Sequence, residues 1–243
     1  MKKHSFTLFS QRIFARPWKR KIPLHFILGG ITGSLVISFY GGSRLAGVFG
    51  AVNALLLCSA AALIFFGAIL AFAPVPGSFS SKAGFRKVRF QDLLLCFLAL
   101  AILLPVSALL TGSWQQILEF FHISYEKEQS FIFLVRQGGK GTYFQLLLLT
   151  AAVVPCLEEL IFRRGLYALL GKLGAPAAMV GTAFIFSIAH GFVLGIPALF
   201  FIGLTFQAVC NITRNLWCSI ITHALLNATV LSITFLASKY ASA

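Results

Sequence analysis

The chain has 243 residues, of which 58% are hydrophobic and only 11% are charged. A soluble domain of this length needs far more charge to cover its surface, so the composition excludes an ordinary soluble protein. The formal net charge is +14. The basic residues lie in short clusters between apolar runs, which favours contact with anionic lipid headgroups over nucleic acid.

The apolar runs cover nearly the whole chain and predict an all-α, polytopic transmembrane helix bundle. A bilayer core needs about 20 apolar residues per helix, which gives about seven spans, with six to eight as the range. The predicted spans are residues 23–40, 45–73, 91–111, 143–170, 175–193, 196–211 and 215–237.

The same pattern divides the chain into three parts. Residues 1–22 form a basic cytoplasmic segment, residues 23–142 hold the N-terminal transmembrane helices and a loop, and residues 143–237 hold the C-terminal helices. Within the second part, residues 113–142 are expected to form an exposed connection with an amphipathic piece from Trp114 to Phe121.

The basic residues also predict an orientation. With seven spans, fifteen of the 20 Lys and Arg residues lie on the side of the N-terminus and five on the other. Cytoplasmic segments carry the excess of such residues, so we expect a cytoplasmic N-terminus. The short loops and the basic inner face favour a bacterial cytoplasmic membrane. A hairpin turning at Gly174 is expected to project in part beyond the bilayer, which suits Arg163, Arg164 and Lys172.

Two of the six acidic residues, Glu158 and Glu159, lie in an otherwise apolar helix. Carboxylates inside a span are costly and therefore indicate function. Glu159 and Arg163 have the favourable i, i+4 order for a helical ion pair, which alone would be a structural role. Glu158 is rotated by about 100° around the helix axis relative to Glu159, and only Phe162 lies beside it on the next turn. Glu158 is therefore the candidate base, with Glu159 as its support.

Two histidines, His190 and His223, also fall within apolar helices. Glu158 and His190 are each sixteen residues from Gly174, the expected turn. Antiparallel helices folded there bring both side chains to the same depth, about 24 Å from the turn at 1.5 Å per residue. We therefore expect His190 to face Glu158; a histidine satisfied in the core is the alternative.

His223 and Asn227 are four residues apart in the last predicted span and share one helix face. Two hydrogen-bond donors on one face can hold a developing oxyanion. Hydrogen bonding between helices, which would only hold the bundle together, is the alternative.

Other protease mechanisms require sequence motifs that can be sought in the chain. Neither H-E-x-x-H nor G-x-S-x-G occurs, and Asp92 is the sole aspartate, so an aspartate dyad is impossible. Cys156 as a nucleophile and zinc held by Glu158, His190 and His223 are the alternatives. Direct base catalysis, with no metal and no other cofactor, ranks first.

These residues form three ordered motifs. Residues 158–163 resemble E-E-x-x-x-R, residues 186–190 resemble F-x-x-x-H, and residues 223–227 resemble H-x-x-x-N. The set is similar to that of the CPBP family, which joins CAAX prenyl endopeptidases with bacteriocin-processing and self-immunity proteins. The resemblance covers about residues 143–232, and the first 140 residues show nothing that matches.

The resemblance implies a membrane-embedded glutamic endopeptidase acting on a membrane-associated, prenylated or lipophilic protein or peptide. Glu158 and His190 would activate a water molecule, while His223 and Asn227 would stabilise the oxyanion. The supporting residues would be Glu159, Arg163 and Phe186.

Two other functions stay open at this point. One is a non-catalytic bacteriocin self-immunity or membrane scaffold protein, whose polar residues only hold helices together. The other is a small transporter with a polar pocket at mid-membrane. The expected partners are a protein or peptide substrate in or at the membrane and the lipid bilayer, with no nucleic acid; the sequence leaves the oligomeric state open.

Overall fold

The computed structural model describes Ile13 and residues 22–127 and 130–240. Within these ranges the regular elements are all helical, which confirms the predicted all-α bundle. The helices are α1 (Leu24–Val36), α2 (Gly42–Phe49), α3 (Ala51–Phe72), α4 (Phe79–Ala83), α5 (Phe90–Phe120), α6 (Ser130–Gln137), α7 (Lys140–Leu173), α8 (Ala175–Ala189), α9 (Ile196–Thr213) and α10 (Leu216–Tyr240). Most of the predicted basic segment 1–22 lies outside the described residues.

Five helices are long and apolar enough to cross a membrane: α3, α5, α7, α9 with its preceding turn, and α10. Helices α1 and α8 are apolar but have only 13 and 15 residues. Large apolar side chains such as Ile64, Phe72 and Leu109 are exposed on the outer surface of the bundle, as lipid-facing residues are. The chain is thus an integral membrane protein, and the count of seven spans stays a prediction.

The predicted span 45–73 is broken in two. Gly50 has a φ of +77°, a conformation that glycine adopts without steric cost. Helix α2 consequently ends at Phe49, and α3 begins at Ala51.

The predicted end of the third span at residue 111 is wrong, because α5 continues to Phe120. The predicted amphipathic piece is the last part of this helix. Its Trp114 Nε1 donates a hydrogen bond to Val193 O at 3.1 Å, and Leu118 is buried. These contacts hold the extension against the bundle, and His122, at a φ of +53°, follows its end.

Helix α7 carries the two neighbouring glutamates and is irregular. Leu149–Val153 and Leu160–Leu166 are π-helical turns, and Gly171–Leu173 is a 3-10 turn. Such π-turns change which backbone groups pair along a helix, and they are frequent at functional sites. The chain reverses at Gly174, where φ is +95°, and α8 follows at Ala175, so the predicted hairpin turn is confirmed.

The two arginines assigned to the projecting part of this hairpin are buried inside the bundle. Arg163 is 0% and Arg164 is 1% exposed. The Nε of Arg164 donates to the carbonyl oxygen of Lys82. The buried Lys82 in turn donates through Nζ to Ala71 O and Ala73 O at 2.7 and 2.8 Å, at the end of α3. These contacts join the hairpin to the N-terminal half of the chain.

Helices α8 and α9 pack closely at Gly203. A Cβ atom at this position would lie 3.1 Å from the Cα of Ala183 and 3.3 Å from the ring of Phe186, so glycine permits the approach. The close packing places Phe186 of α8 beside Phe206 of α9, with ring centroids 6.3 Å apart. Of these two rings, Phe186 lines the candidate site.

Candidate active site

A cavity of about 360 Å³ opens between α3, α7, α8, α9 and α10 and is lined by the four predicted catalytic side chains: Glu158, His190, His223 and Asn227. Much of its remaining lining is apolar and includes Leu149, Leu199 and Leu226. The structure therefore brings together residues that are up to 69 positions apart in the sequence.

The carboxylate of Glu158 lies close to both histidines of this cavity. Its Oε2 lies 4.0 Å from the Nε2 of His190 and 3.9 Å from the Nε2 of His223. Both distances are too long for a direct hydrogen bond, and Oε2 is buried without a hydrogen-bond partner among the described residues. Polar groups at this separation accommodate a bridging water molecule. The predicted lack of a local partner for Glu158 is thus confirmed.

His190 stands at the C-terminal end of α8, where the last carbonyls of a helix lack partners. Its Nδ1 lies 2.7 Å from the carbonyl oxygen of Phe186, four residues earlier. Because a carbonyl only accepts, Nδ1 carries the proton and donates, which leaves Nε2 directed to Glu158. The ring of Phe186 packs on the imidazole at 4.6 Å. The F-x-x-x-H spacing therefore fixes both the tautomer and the position of His190.

Glu159 is fully buried and pairs with residues on two helices. Its Oε2 accepts from the Nε of Arg163 at 2.9 Å, which confirms the predicted ion pair, and also from the hydroxyl of Ser219. Its Oε1 lies 3.1 Å from the Nδ1 of His223. Ser219 is absent from the sequence-based predictions, and its i, i+4 spacing from His223 is the signal that places both on one face of α10.

The guanidinium of Arg163 is enclosed by aromatic rings. Its central carbon lies 5.0 Å from the ring centroid of Phe186, 5.7 Å from that of Phe206 and 6.0 Å from that of Phe162. Cation–π contacts of this kind are strongest where water is excluded. Phe206 also stacks on His223 at 4.7 Å with an angle of 30°. Phe206 was not among the predicted site residues, and its stacking restricts rotation of the His223 imidazole ring.

Asn227 is held by the irregular part of α7. Its Nδ2 donates to the carbonyl oxygen of Thr150 at 2.7 Å. In a π-helical turn this carbonyl would accept from the residue five positions later, but that residue is Pro155, which has no N–H. The carbonyl is therefore available to Asn227, whose second amide N–H donates to no other residue in the described ranges.

The two alternative chemistries involve Cys156 and a zinc ion. Cys156 does not line the cavity. In the part of the chain that the structure describes, no group of three or more His, Cys, Asp or Glu side chains could hold a metal ion. Glu158, His190 and His223 are thus near one another without forming such a group.

Comparison with known proteins agrees with the motifs. Residues 140–229 match a protein-family model described as type II CAAX prenyl endopeptidase Rce1-like. The matched segment contains all three motifs, so the resemblance read from them is confirmed over this segment. No curated protein and no solved structure matches the chain. The family match and the apolar helices support a CAAX-type intramembrane endopeptidase.

Proposed function

We propose that the chain is an intramembrane endopeptidase in which Glu158 is the general base. The observation that carries this proposal is the position of Glu158 Oε2, 4.0 and 3.9 Å from the Nε2 atoms of His190 and His223. This oxygen accepts no hydrogen bond from the described residues, so no described donor competes with a water molecule for it. A base must lie within hydrogen-bond reach of the proton that it removes, and water bound here would satisfy this condition.

The reaction begins with a water molecule between Glu158 and His190. Glu158 removes a proton as the water oxygen bonds to the scissile carbonyl carbon, which gives a tetrahedral oxyanion. Collapse of this intermediate breaks the C–N bond, and the proton held by Glu158 passes to the leaving amine. Peptide and water are thus converted into a carboxylic acid and an amine, without an oxidant or reductant.

The oxyanion is stabilised by donors on α10. Asn227 offers its second amide N–H, since the first is bonded to Thr150. When both ring nitrogens of His223 carry a proton, its Nε2 donates to the oxyanion. The carboxylate of Glu159, 3.1 Å from Nδ1, balances the positive charge of the ring. Fixed donors directed at a developing oxyanion are among the strongest catalytic contributions in enzymes.

The supporting residues act through the histidines. Phe186 anchors His190 through its carbonyl and its ring. Arg163 holds Glu159 at 2.9 Å, and Glu159 holds His223. Because a displacement of a reacting group by about 1 Å can reduce the rate about 100-fold, we assign these residues a positioning role.

The surroundings of the site support a proposal for the substrate class. The cavity lies within apolar helices and has a largely apolar lining, which favours a protein or peptide with a lipophilic segment or a prenyl group. We further propose that the chain acts in a bacterial cytoplasmic membrane with its N-terminus in the cytoplasm.

The decisive experiment compares Glu158→Gln with the wild-type protein, purified in detergent, on a quenched prenyl-peptide. Glutamine keeps the shape of the side chain but does not take up a proton, so turnover should fall by about 10²–10⁴-fold. Glu119→Gln is the matched control, because Glu119 is an exposed carboxylate of α5 that does not line the cavity. It should retain turnover.

The same assay separates the base mechanism from zinc chemistry. Activity should survive a strong chelator. Loss of activity on chelation, with recovery on addition of zinc, would replace the carboxylate mechanism while keeping the site. Full activity of Glu158→Gln would overturn both mechanisms, and survival of the cellular function in this variant would indicate a non-catalytic immunity or scaffold protein.

A further inference from the structure

A second cavity, of about 430 Å³, lies apart from the candidate active site. Its lining is strongly basic and consists of Arg86, Lys87, Arg89, Asp92, Ile212, Thr213, Arg214 and Asn215. Three membrane helices end around it, since α5 begins at Phe90, α9 ends at Thr213 and α10 begins at Leu216. The ends of these long apolar helices place the cavity at the level of a membrane surface.

The charges of this cavity are not balanced within it. Asp92 pairs with Arg89 at 2.9 Å and also accepts from the backbone N–H of Arg89 at 3.0 Å. Arg86, Lys87 and Arg214 are exposed, and their side chains form no ion pair with any residue that the structure describes. The starts of α5 and α10 add partial positive charge and the end of α9 adds partial negative charge, so the net charge comes mainly from the basic side chains. The cavity is therefore suited to an anion.

Asn215 fixes the shape of the cavity. It is 1% exposed, and its side chain bonds to both the N–H and the carbonyl of Arg86, each at 3.1 Å. The backbone N–H of Leu216 donates to Gly84 O at 3.1 Å. These bonds clamp the segment before α5 onto the turn between α9 and α10, so the basic side chains start from a fixed backbone.

Arg214 occupies a position where a large side chain is unexpected. It follows α9 with a φ of +52°, and glycine or asparagine is usual in this left-handed conformation at a helix end. Such strain is commonly found where a side chain serves a function. Here the strained residue supplies one of the three unpaired cations.

Aromatic side chains lie beside the basic residues. Trp217 bonds through its backbone N–H to Asn215 Oδ1 at 3.2 Å and stacks on Phe85 at 4.5 Å, with 39% of its surface exposed. Phe90, at the start of α5, is 74% exposed. Tryptophan is typical of the membrane–water interface, and these apolar surfaces could lie along an acyl chain.

We propose that this cavity binds a phosphate group at the membrane surface, through Arg86, Lys87 and Arg214. Guanidinium groups recognise phosphate oxygens by paired, charge-assisted hydrogen bonds, and lysine adds a point charge. The adjacent aromatic surfaces favour an anionic phospholipid as its source over free phosphate. The site is independent of the proposed peptidase chemistry.

Native mass spectrometry of the protein in detergent, titrated with short-chain phosphatidylglycerol, measures this binding. Each basic residue near a membrane surface contributes about a fivefold gain in affinity for anionic lipid. The triple variant Arg86→Gln, Lys87→Gln, Arg214→Gln should therefore bind about 100-fold more weakly. The matched control, Arg44→Gln, Lys127→Gln, Lys140→Gln, removes three exposed cations elsewhere and should bind within about twofold of the wild type.

Parallel titrations with phosphatidylcholine and with inorganic phosphate identify the source of the phosphate. Preference for phosphatidylglycerol over both supports a lipid site; equal competition by inorganic phosphate, abolished in the triple variant, supports a free-phosphate site. Arg214→Asn fits the left-handed backbone and should keep the unfolding temperature while weakening binding about fivefold. Equal loss of binding in the two triple variants, or none in either, would overturn the proposal.

Discussion

Replacement of Glu159 by glutamine tests the network that holds His223. Glutamine keeps the length of the side chain and can still contact Ser219 and His223. It removes the negative charge 2.9 Å from the Nε of Arg163, where both side chains are 0% exposed. The substitution therefore leaves a buried guanidinium without the charge of its Glu159 partner.

The size of the effect follows from this burial. Removal of one member of a buried ion pair costs about 3–5 kcal/mol, because the remaining charge stays desolvated. The three phenylalanine rings around Arg163 contact the guanidinium in both proteins, so their attraction does not change this difference. We expect a loss of about 3–5 kcal/mol in the free energy of unfolding and a reduced yield of folded protein.

Denaturant unfolding in detergent measures this loss. Glu119→Gln is the control, because Glu119 is an exposed carboxylate of α5 and such substitutions usually change stability by at most about 0.5 kcal/mol. Equal stability of Glu159→Gln and Glu119→Gln would refute the reasoning. The double variant Glu159→Gln, Arg163→Met removes both charges and should recover most of the stability. Its turnover should stay low, because His223 no longer faces a carboxylate.

Two further predictions concern the oxyanion and the orientation. Asn227→Ala should lower kcat by about 10²–10³-fold and leave KM nearly unchanged. The control Asn53→Ala, at a residue outside the cavity, should behave as the wild type. A change in KM alone would contradict the role assigned to Asn227. Single cysteines at Lys3 and Ala243 should be labelled by an impermeant thiol reagent from opposite sides of the membrane. Labelling of both from one side would remove the seven-span arrangement.

The position of the candidate site could be predicted because it depends on short spacings. His223 and Asn227 share a face through helical periodicity, and Glu158 and His190 meet because they are equally distant from Gly174. The hairpin turn at Gly174 also follows from local chemistry, since its φ of +95° suits glycine. Each of these relations lies within one helix or one hairpin.

Contacts between distant helices could not be predicted in the same way. Ser219 reaches Glu159 across 60 residues, and Arg164 reaches the carbonyl of Lys82 across 82 residues. No fixed sequence separation relates such partners, so the burial of Arg164 had no local signal. The π-turns could not be predicted from the sequence either. Pro155 does show, however, which carbonyl lacks a helical partner, namely that of Thr150, which accepts from Asn227.

The two neighbouring glutamates show how the surroundings divide chemical roles between identical side chains. Glu159 accepts from Arg163, Ser219 and His223, so protonation there would oppose three donors at once. Glu158 has an oxygen with no such donor, and it can take up a proton without breaking a hydrogen bond. Glu158→Gln should therefore lower turnover at unchanged stability, whereas Glu159→Gln should lower stability first. The reverse pattern in the unfolding and turnover measurements would exchange the two assignments.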